Sequence, residues 1–295
     1  STATVTVSDV DIGAVALVAA GLDAAVSVTT TAGTVSVGMG AGALTGDVKV
    51  DASAATTINV DTTGAVDITS GAATLINVDN VDASGLTVTS SLVGTTAAPV
   101  VIALDGTTAA AADVATISAV GVVTLDDQGD ALETLNLSGN GAAVTYTIDT
   151  TLGATTITGS GAQVVNVTTG ADDLDGITAT GLGTVTMNLA ATGAVDLTAV
   201  TASTISLGAF NHAAQNFTVA TGSSLVIGTD QVGLDVFAAT DNGTVTITTA
   251  DDVAGAAVGT ITLGAADLND TNDFSVVELV ASDAHLTATT FDVDD

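Results

Sequence analysis

The sequence predicts an all-β protein of β-solenoid or β-helix architecture, with tandem β-sandwich domains as the alternative, and three observations point there. Short runs of alternating β-branched residues recur along all 295 positions, about ten residues apart from centre to centre. Two phrases return: Thr57-Ile58-Asn59-Val60-Asp61 as Leu75-Ile76-Asn77-Val78-Asp79, and Gly64-Ala65-Val66-Asp67-Ile68-Thr69 as Gly193-Ala194-Val195-Asp196-Leu197-Thr198. A repeat near twenty residues is the length of one solenoid coil carrying two or three strands. Aromatic residues make up only 2% of the chain. A sandwich core about 10 Å thick is normally filled by larger side chains, so scarcity of aromatics favours the thinner solenoid.

The strands follow in order. Thr4–Val7, Val26–Val28, Thr34–Val37, Thr57–Asp61, Val66–Ile68 and Leu86–Thr89 each alternate with period two. Val100–Leu104, Leu135–Leu137, Val144–Ile148, Val164–Val167 and Val185–Leu189 continue the series, and Phe217–Val219, Val245–Thr248 and Ile261–Leu263 end it. Gly, Asp or Asn, the residues of tight turns, usually separate them. Helix is scarce: Ala109–Ala115 and Asn211–Gln215 can each form a turn or two, and Val276–Ala281 reads as strand or short helix. The strand rhythm lapses between Thr95 and Asp113, around the single proline, Pro99. That lapse divides the chain into an N-terminal β-rich segment, 1–113, and a C-terminal one, 114–295.

Charge restricts function most. There is one basic side chain, Lys49, against 33 acidic ones, for a formal net charge of −32. Nearly all the acid is aspartate, since Glu133 and Glu278 are the only glutamates. A hydrophobic content of 47% separates this chain from disordered acidic tails and predicts a folded protein. Self-repulsion on this scale calls for bound cations, high salt or wide spacing of the charges. Nucleic acid and anionic membrane surfaces are excluded as partners, because contact with phosphate depends on Lys and Arg. The longest apolar run, Ile12–Leu22, is too short to span a bilayer, and Asp9 and Asp11 before it are wrong for a secretion signal. Without cysteine, an exported form would be stabilised by metal ions or stacking rather than disulfides. A start at Ser1 rather than Met reads as a processed product or an excerpt of a longer chain, with export signals elsewhere.

Three aspartate clusters fall where turns are expected: Asp126, Asp127 and Asp130 with Glu133; Asp172, Asp173 and Asp175; and Asp267, Asn269, Asp270 and Asp273. Calcium takes six to eight oxygen ligands, and curved loops of carboxylates, amide oxygens and backbone carbonyls supply them. These are the candidate calcium ligands. None of the three has the EF-hand spacing. Weaker candidates are Asp79-Asn80 with Asp82, Asp9 with Asp11, and Asp251-Asp252. The alternative is that Asp and Asn occupy turns because they accept local backbone hydrogen bonds.

Catalytic constellations are not found. His212 and His285 stand alone, outside any metal-ligand spacing. Gly159-Ser160-Gly161 only superficially resembles a nucleophile elbow. Carboxylate pairs could serve glycoside cleavage, yet sugar sites usually use aromatic platforms, and here there is one Tyr and no Trp. Rows such as Thr87-Val88-Thr89, Thr145-Tyr146-Thr147, Thr184-Val185-Thr186 and Thr244-Val245-Thr246 resemble the Thr-x-Thr rows of ice-binding β-helices. Their irregular spacing along the chain instead suggests ordinary half-exposed strand faces. Five Asn-x-Ser/Thr sequons begin at Asn136, Asn166, Asn216, Asn242 and Asn269, as expected by chance in so Thr-rich a chain.

Phrases such as Leu132-Glu133-Thr134-Leu135-Asn136-Leu137-Ser138-Gly139 and Gly159-Ser160-Gly161-Ala162-Gln163-Val164-Val165-Asn166-Val167-Thr168 resemble bacterial surface-layer proteins. The likeness is to those secreted by the type I route with RTX calcium repeats. It implies a non-enzymatic, extracellular lattice protein whose calcium sites rigidify subunits and bridge them. No Gly-Gly-x-Gly-x-Asp nonapeptide occurs, and Gly170–Asp175 is a distant echo of one. The expectation is therefore a secreted, cell-surface structural protein, self-assembling into a calcium-stabilised layer or filament. Its partners are further copies of itself, with cell-surface polysaccharide as an additional candidate. The alternative is an adhesin segment that binds carbohydrate or another cell.

Overall fold

A computed structural model of the chain describes residues 5–10, 13–17, 25–38, 44–79, 85–105, 113–127, 132–148, 156–160, 165–170, 174–189, 195–206, 216–219, 224–227, 234–238, 243–249, 261–263, 274–281 and 291–293. It is a parallel β-solenoid with almost no helix. Every pairing between named strands of the described residues is parallel, which rules out the antiparallel sheets of the sandwich alternative. The chain separates into two compact units, Ser1–Val165 and Asn166–Asp295.

In the first unit each coil lays one strand on each of two sheet faces. The first face holds β1 (Val5–Val10), β3 (Val26–Thr30), β5 (Val48–Ala52), β7 (Val66–Ser70) and β9 (Leu86–Gly94). The N-terminal parts of β11 (Asp113–Asp127) and β12 (Leu132–Ile148) extend it, and β13 (Thr156–Ser160) follows. On the second lie β2 (Ala14–Leu17), β4 (Thr34–Val37), β6 (Thr57–Asp61), β8 (Leu75–Asp79) and β10 (Val100–Asp105), then the C-terminal parts of β11 and β12. Partners on the first face lie from 18 residues apart, Val48 to Val66, to 29, Leu86 to Ala115. Turns of unequal length absorb the variation while the registers stay aligned.

Alternation has a simple cause here. One side of each strand faces the interior and the other faces out, so residues of successive strands form inward and outward rows. Val26, Val48, Val66, Leu86, Ala115, Leu135 and Ile157 make one buried inward row, and Val28, Val50, Ile68, Val88, Ile117 and Leu137 the next. The returning phrase is the same thing seen in sequence: Thr57–Asp61 pairs residue for residue with Leu75–Asp79. At the inner corner after the first face, Thr30 and Ser70 accept the Ala32 and Ala73 N–H groups, at 2.9 and 3.0 Å. Ser90 holds the same corner in β9, where the strand runs on, and its buried hydroxyl has no hydrogen-bond partner.

Strands β11 and β12 pass from one face to the other without a break. Gly121 takes the bend of β11 with φ +77°, and it pairs with Gly94. A Cβ on either would collide with backbone carbonyl oxygen, that of Gly94 or Val122. The only tyrosine, Tyr146, is fully buried beside this bend, its hydroxyl 2.7 Å from the Ser138 carbonyl and 3.1 Å from that of Ile117. Strand β9, before the division expected at Asp113, pairs with β11, after it, from Ala115 on with one register shift between Ser118 and Val120, and the two compact units part after Val165. Asp113–Ala115, read as the end of a helical turn, opens β11 because Leu86 of β9 offers Ala115 a strand partner. Residues 109–112 and Asn211–Gln215 lie outside the described residues.

The second unit repeats the plan. One ladder runs β14 (Val165–Gly170), β15 (Thr178–Leu189), β17 (Val200–Ser206), β19 (Ser224–Ile227), β21 (Gly243–Thr249) and β23 (Phe274–Ala281). The other runs β16 (Val195–Leu197), β18 (Asn216–Val219), β20 (Leu234–Ala238), β22 (Ile261–Leu263) and β24 (Phe291–Val293). Val276–Ala281, ambiguous in sequence, is strand, because each residue from Val276 on pairs in register with β21.

Candidate functional site

Function in a solenoid lies in what the outward rows present, and the two faces of the first unit present different chemistry. On the first face one row reads Thr6, Ser27, Lys49, Asp67, Thr87, Thr116, Asn136, Thr158, and the other Ser8, Thr29, Asp51, Thr69, Thr89, Ser118, Ser138, Ser160. All charge in these rows sits on β5 and β7. From β9 onward every outward position of the two rows is a hydroxyl, except for the amide of Asn136. Of the Thr-x-Thr phrases, only Thr87-Val88-Thr89 falls in these rows; Thr145 and Thr147 lie in the second-face part of β12, and Thr184, Thr186 and Thr244–Thr248 in the ladder of the second unit.

Lys49 Nζ donates to Asp67 Oδ2 at 2.5 Å, across one strand spacing. The pair is solvent-exposed, 59% and 45%, and Asp67, with Asp51 nearby, holds the ammonium pKa above its ordinary value. A groove of about 490 Å³ crosses the N-terminal ends of β3, β5, β7, β9 and β11 at this point. Its floor is aliphatic, as at Val48 and Val66, and Ser27, Lys49, Asp67 and Thr116 are among the polar groups lining it.

On the second face the outward rows are half-buried. Ser36, Asn59 and Asn77 form a ladder: Asn77 Nδ2 donates to Asn59 Oδ1 at 2.7 Å, and Asn59 Nδ2 to Ser36 Oγ at 3.2 Å. Asp126 of β11 stands two strands further along the same row, after Ala103. Beside it Asp61 and Asp79 are register partners, and Asp105 occupies the next position. Neighbouring strands lie about 4.8 Å apart, so three aspartate positions follow one another along the coils at that spacing.

Of the expected calcium ligands, Asp126 and Asp127 fall at the end of β11, and Asp126 is half-buried. Asp175 is exposed in the turn before β15, where its Oδ1 accepts the Asp196 N–H at 2.7 Å. Glu133 is in β12 at a position whose side chain is not described. Asp130, Asp172, Asp173, Asp267, Asn269, Asp270 and Asp273 lie outside the described residues, as do Asp82, Asn80, Asp251, Asp252, His212 and His285. Among the described residues no three Asp, Glu or His side chains gather into a group that could hold a metal ion. No helix among them is long and apolar enough to cross a membrane.

What the described turn aspartates do is clamp neighbouring coils. Asp47 Oδ1 accepts the Ala65 N–H at 3.0 Å, 18 residues on, and Asp175 Oδ1 accepts the Asp196 N–H, 21 residues on. Asn166, a sequon asparagine, accepts the Thr184 N–H at 2.8 Å in the same manner. Asp196 makes the local kind of contact, accepting the Thr198 N–H at 2.9 Å. Sequence reading missed the Asp61–Asp79 stack and the Lys49–Asp67 pair. The signal for the first was present: a repeated phrase ending in Asp, read as two coils in register, stacks its final residues. None of the protein-family models, curated proteins or solved structures compared with this chain matches it.

Proposed function

We propose that this chain is a non-enzymatic, secreted structural protein of the cell surface, which self-assembles into a calcium-stabilised layer or filament. The observation that carries the reading is the charge balance of a folded parallel solenoid, 33 acidic side chains against one Lys for a net charge of −32. Self-repulsion on this scale costs stability unless cations are bound near the carboxylates. Carboxylates are hard oxygen donors of the type calcium takes, and Asp61 and Asp79 occupy paired register positions on consecutive coils. The turn clusters from Asp126, Asp172 and Asp267 onward would add further ligands within and between copies. Bound calcium would lower the repulsion that keeps acidic copies apart, which ties metal binding to assembly.

A second reading, a carbohydrate-binding adhesin segment, is favoured by the groove over β3 to β11, with its hydroxyls, its two carboxylates and Lys49. Electron microscopy at millimolar calcium, then with chelator, tests the first. Ordered arrays that dissolve on chelation and do not re-form in molar potassium are the expected result. A monodisperse monomer at millimolar calcium overturns it.

A further inference from the structure

We infer that the groove over β3, β5, β7, β9 and β11 is the binding site of one linear chain of uncharged sugars, lying along the solenoid axis. The inference rests on the carbohydrate-binding reading above and names the ligand class and its direction. Two outward rows make the groove. Ser27, Lys49, Asp67, Thr87 and Thr116 are register partners from coil to coil and form a polar wall. Two positions earlier in each coil stand Ala25, Asp47, Ala65, Gly85 and Val114. Apart from Asp47 these are small or aliphatic, so the second row is low beside the first and the surface sinks there. The groove holds about 490 Å³. Five strands at about 4.8 Å spacing span about 19 Å, so this volume is long and narrow, a shape for one polymer chain crossing the coils rather than for a compact ligand.

Charge and spacing choose the occupant. The ionisable groups of the groove are Asp47, Lys49 and Asp67, one negative charge in sum, on a chain of net charge −32. An anionic polymer, uronate or phosphate, is repelled. An extended peptide presents its same-side side chains about 6.8 Å apart, out of step with polar groups that recur at about 4.8 Å. A neutral sugar chain carries hydroxyls on every ring and an apolar C–H face, which suit the polar wall and the aliphatic row beside it. The Lys49–Asp67 pair supplies the central contact. Lys49 has three N–H donors and spends one on Asp67, whose two oxygens keep acceptor capacity. Neighbouring ring hydroxyls can therefore accept from the ammonium and donate to the carboxylate together, and both side chains are open to solvent. Asp47 is already fixed by the Ala65 N–H at 3.0 Å. No aromatic ring lines the groove, so one sugar binds weakly and affinity accumulates over successive rings.

The test is calorimetry of the full chain with linear oligomers of glucose, mannose, galactose and N-acetylglucosamine, beside a uronate oligomer and an oligolysine. Expected is binding of at least one neutral series, tightening at least tenfold from disaccharide to pentasaccharide and persisting in molar salt, where charge attraction is screened. Ala65→Leu fills the groove and leaves every polar group in place, while Lys49→Gln/Asp67→Asn removes the ion pair at nearly constant size. Each should weaken binding at least tenfold. Thr57→Val, outward on β6 of the other face, should leave it unchanged, with all three variants melting as cooperatively as the parent. Should the double variant fail to fold, Ala65→Leu alone decides. A neutral sugar that binds the parent and the groove variants alike overturns the site and leaves the carbohydrate reading standing. Binding of the uronate or the oligolysine alone overturns the ligand class. A parent that binds no saccharide at all overturns both the inference and the carbohydrate reading.

Discussion

The two faces of the first unit share one interior and differ outside. Inward, both carry Val, Ile and Leu rows packed in register. Outward, the first face changes along the coils from the charged Lys49, Asp51 and Asp67 to uncharged hydroxyls, while the second carries an amide ladder beside stacked aspartates. A parallel solenoid makes this separation easy. Alternate residues fix the core, and each remaining residue can be exchanged with little effect on the coil that bears it. What the faces share should therefore govern stability, and what distinguishes them should govern charge and association.

The sharpest way to break the comparison is at the bend where β11 leaves one face for the other. Gly121→Ala places a Cβ on a residue with φ +77° and drives it into the Gly94 carbonyl. Left-handed backbone costs an L-residue about 1–2 kcal/mol, and crowding in a packed interior a further ~1–3. A loss of about 3 kcal/mol is expected in urea unfolding. It should fall on both faces together, since β11 belongs to each. Loss of less than about 1 kcal/mol would mean that the faces are not joined rigidly at this point.

How much of this was legible in the sequence follows from the same separation. The strands whose alternation is strict, such as Thr57–Asp61 and Val66–Ile68, are strands in the structure. So was the choice of solenoid over sandwich, because small apolar residues fill only a thin interior. Strand β2 was hidden in the apolar run Ile12–Leu22, and β11 by its bend: Gly121 in the middle of fifteen strand residues looks like a terminator until Gly94 is seen packed on it. The division at Asp113 was inferred from a lapse in rhythm, and a solenoid tolerates such lapses by lengthening a turn. The outward rows were least legible. Coils of unequal length scatter row members irregularly along the chain, so the hydroxyl rows of the first face and the Asp61–Asp79 register pair become visible only once the register is known. Of the expected metal ligands, position in sequence could show oxygen-rich turns but not that Asp175 is engaged by the next coil.

Tyr146 gives a smaller effect and a clean signal, because the chain has no Trp and no other Tyr. It starts from the second-face part of β12 and reaches the Ser138 and Ile117 carbonyls of the first-face strands, so it spans the shared interior. Tyr146→Phe should cost about 1–2 kcal/mol, the penalty for leaving buried acceptors without their donor. Burial also pushes the phenol pKa upward from 10.0, although the carbonyl contacts act against the shift. A group with a raised folded-state pKa gives stability that is complete below its unfolded value and lost as pH climbs above it. Stability should thus begin to fall near pH 10, with tyrosinate absorbance appearing together with loss of β-structure. Tyrosinate formed in the folded protein at its ordinary pKa would show that the interior is open to water at the bend.

Asp79→Asn tests the outer difference, and its effect on stability is the smallest of the three. Two strand positions before it, Asn77 already donates to Asn59 on the neighbouring coil, so an amide at 79 can meet Asp61 in the same way. Removing one of two stacked charges should raise stability by about 0.2–1 kcal/mol at low ionic strength without calcium. The gain should shrink in molar salt, where the Debye length falls to about 3 Å, less than one strand spacing. Calcium should reverse the order. If Asp61 and Asp79 share a cation, the parent melts higher with added calcium by linkage, and Asp79→Asn gains less because it has one carboxylate fewer to offer. Parallel melting curves for the two proteins across the calcium titration would mean that the row is relieved by solvent and bulk salt alone. The acidic face would then differ from the hydroxyl face in charge but not in ligand.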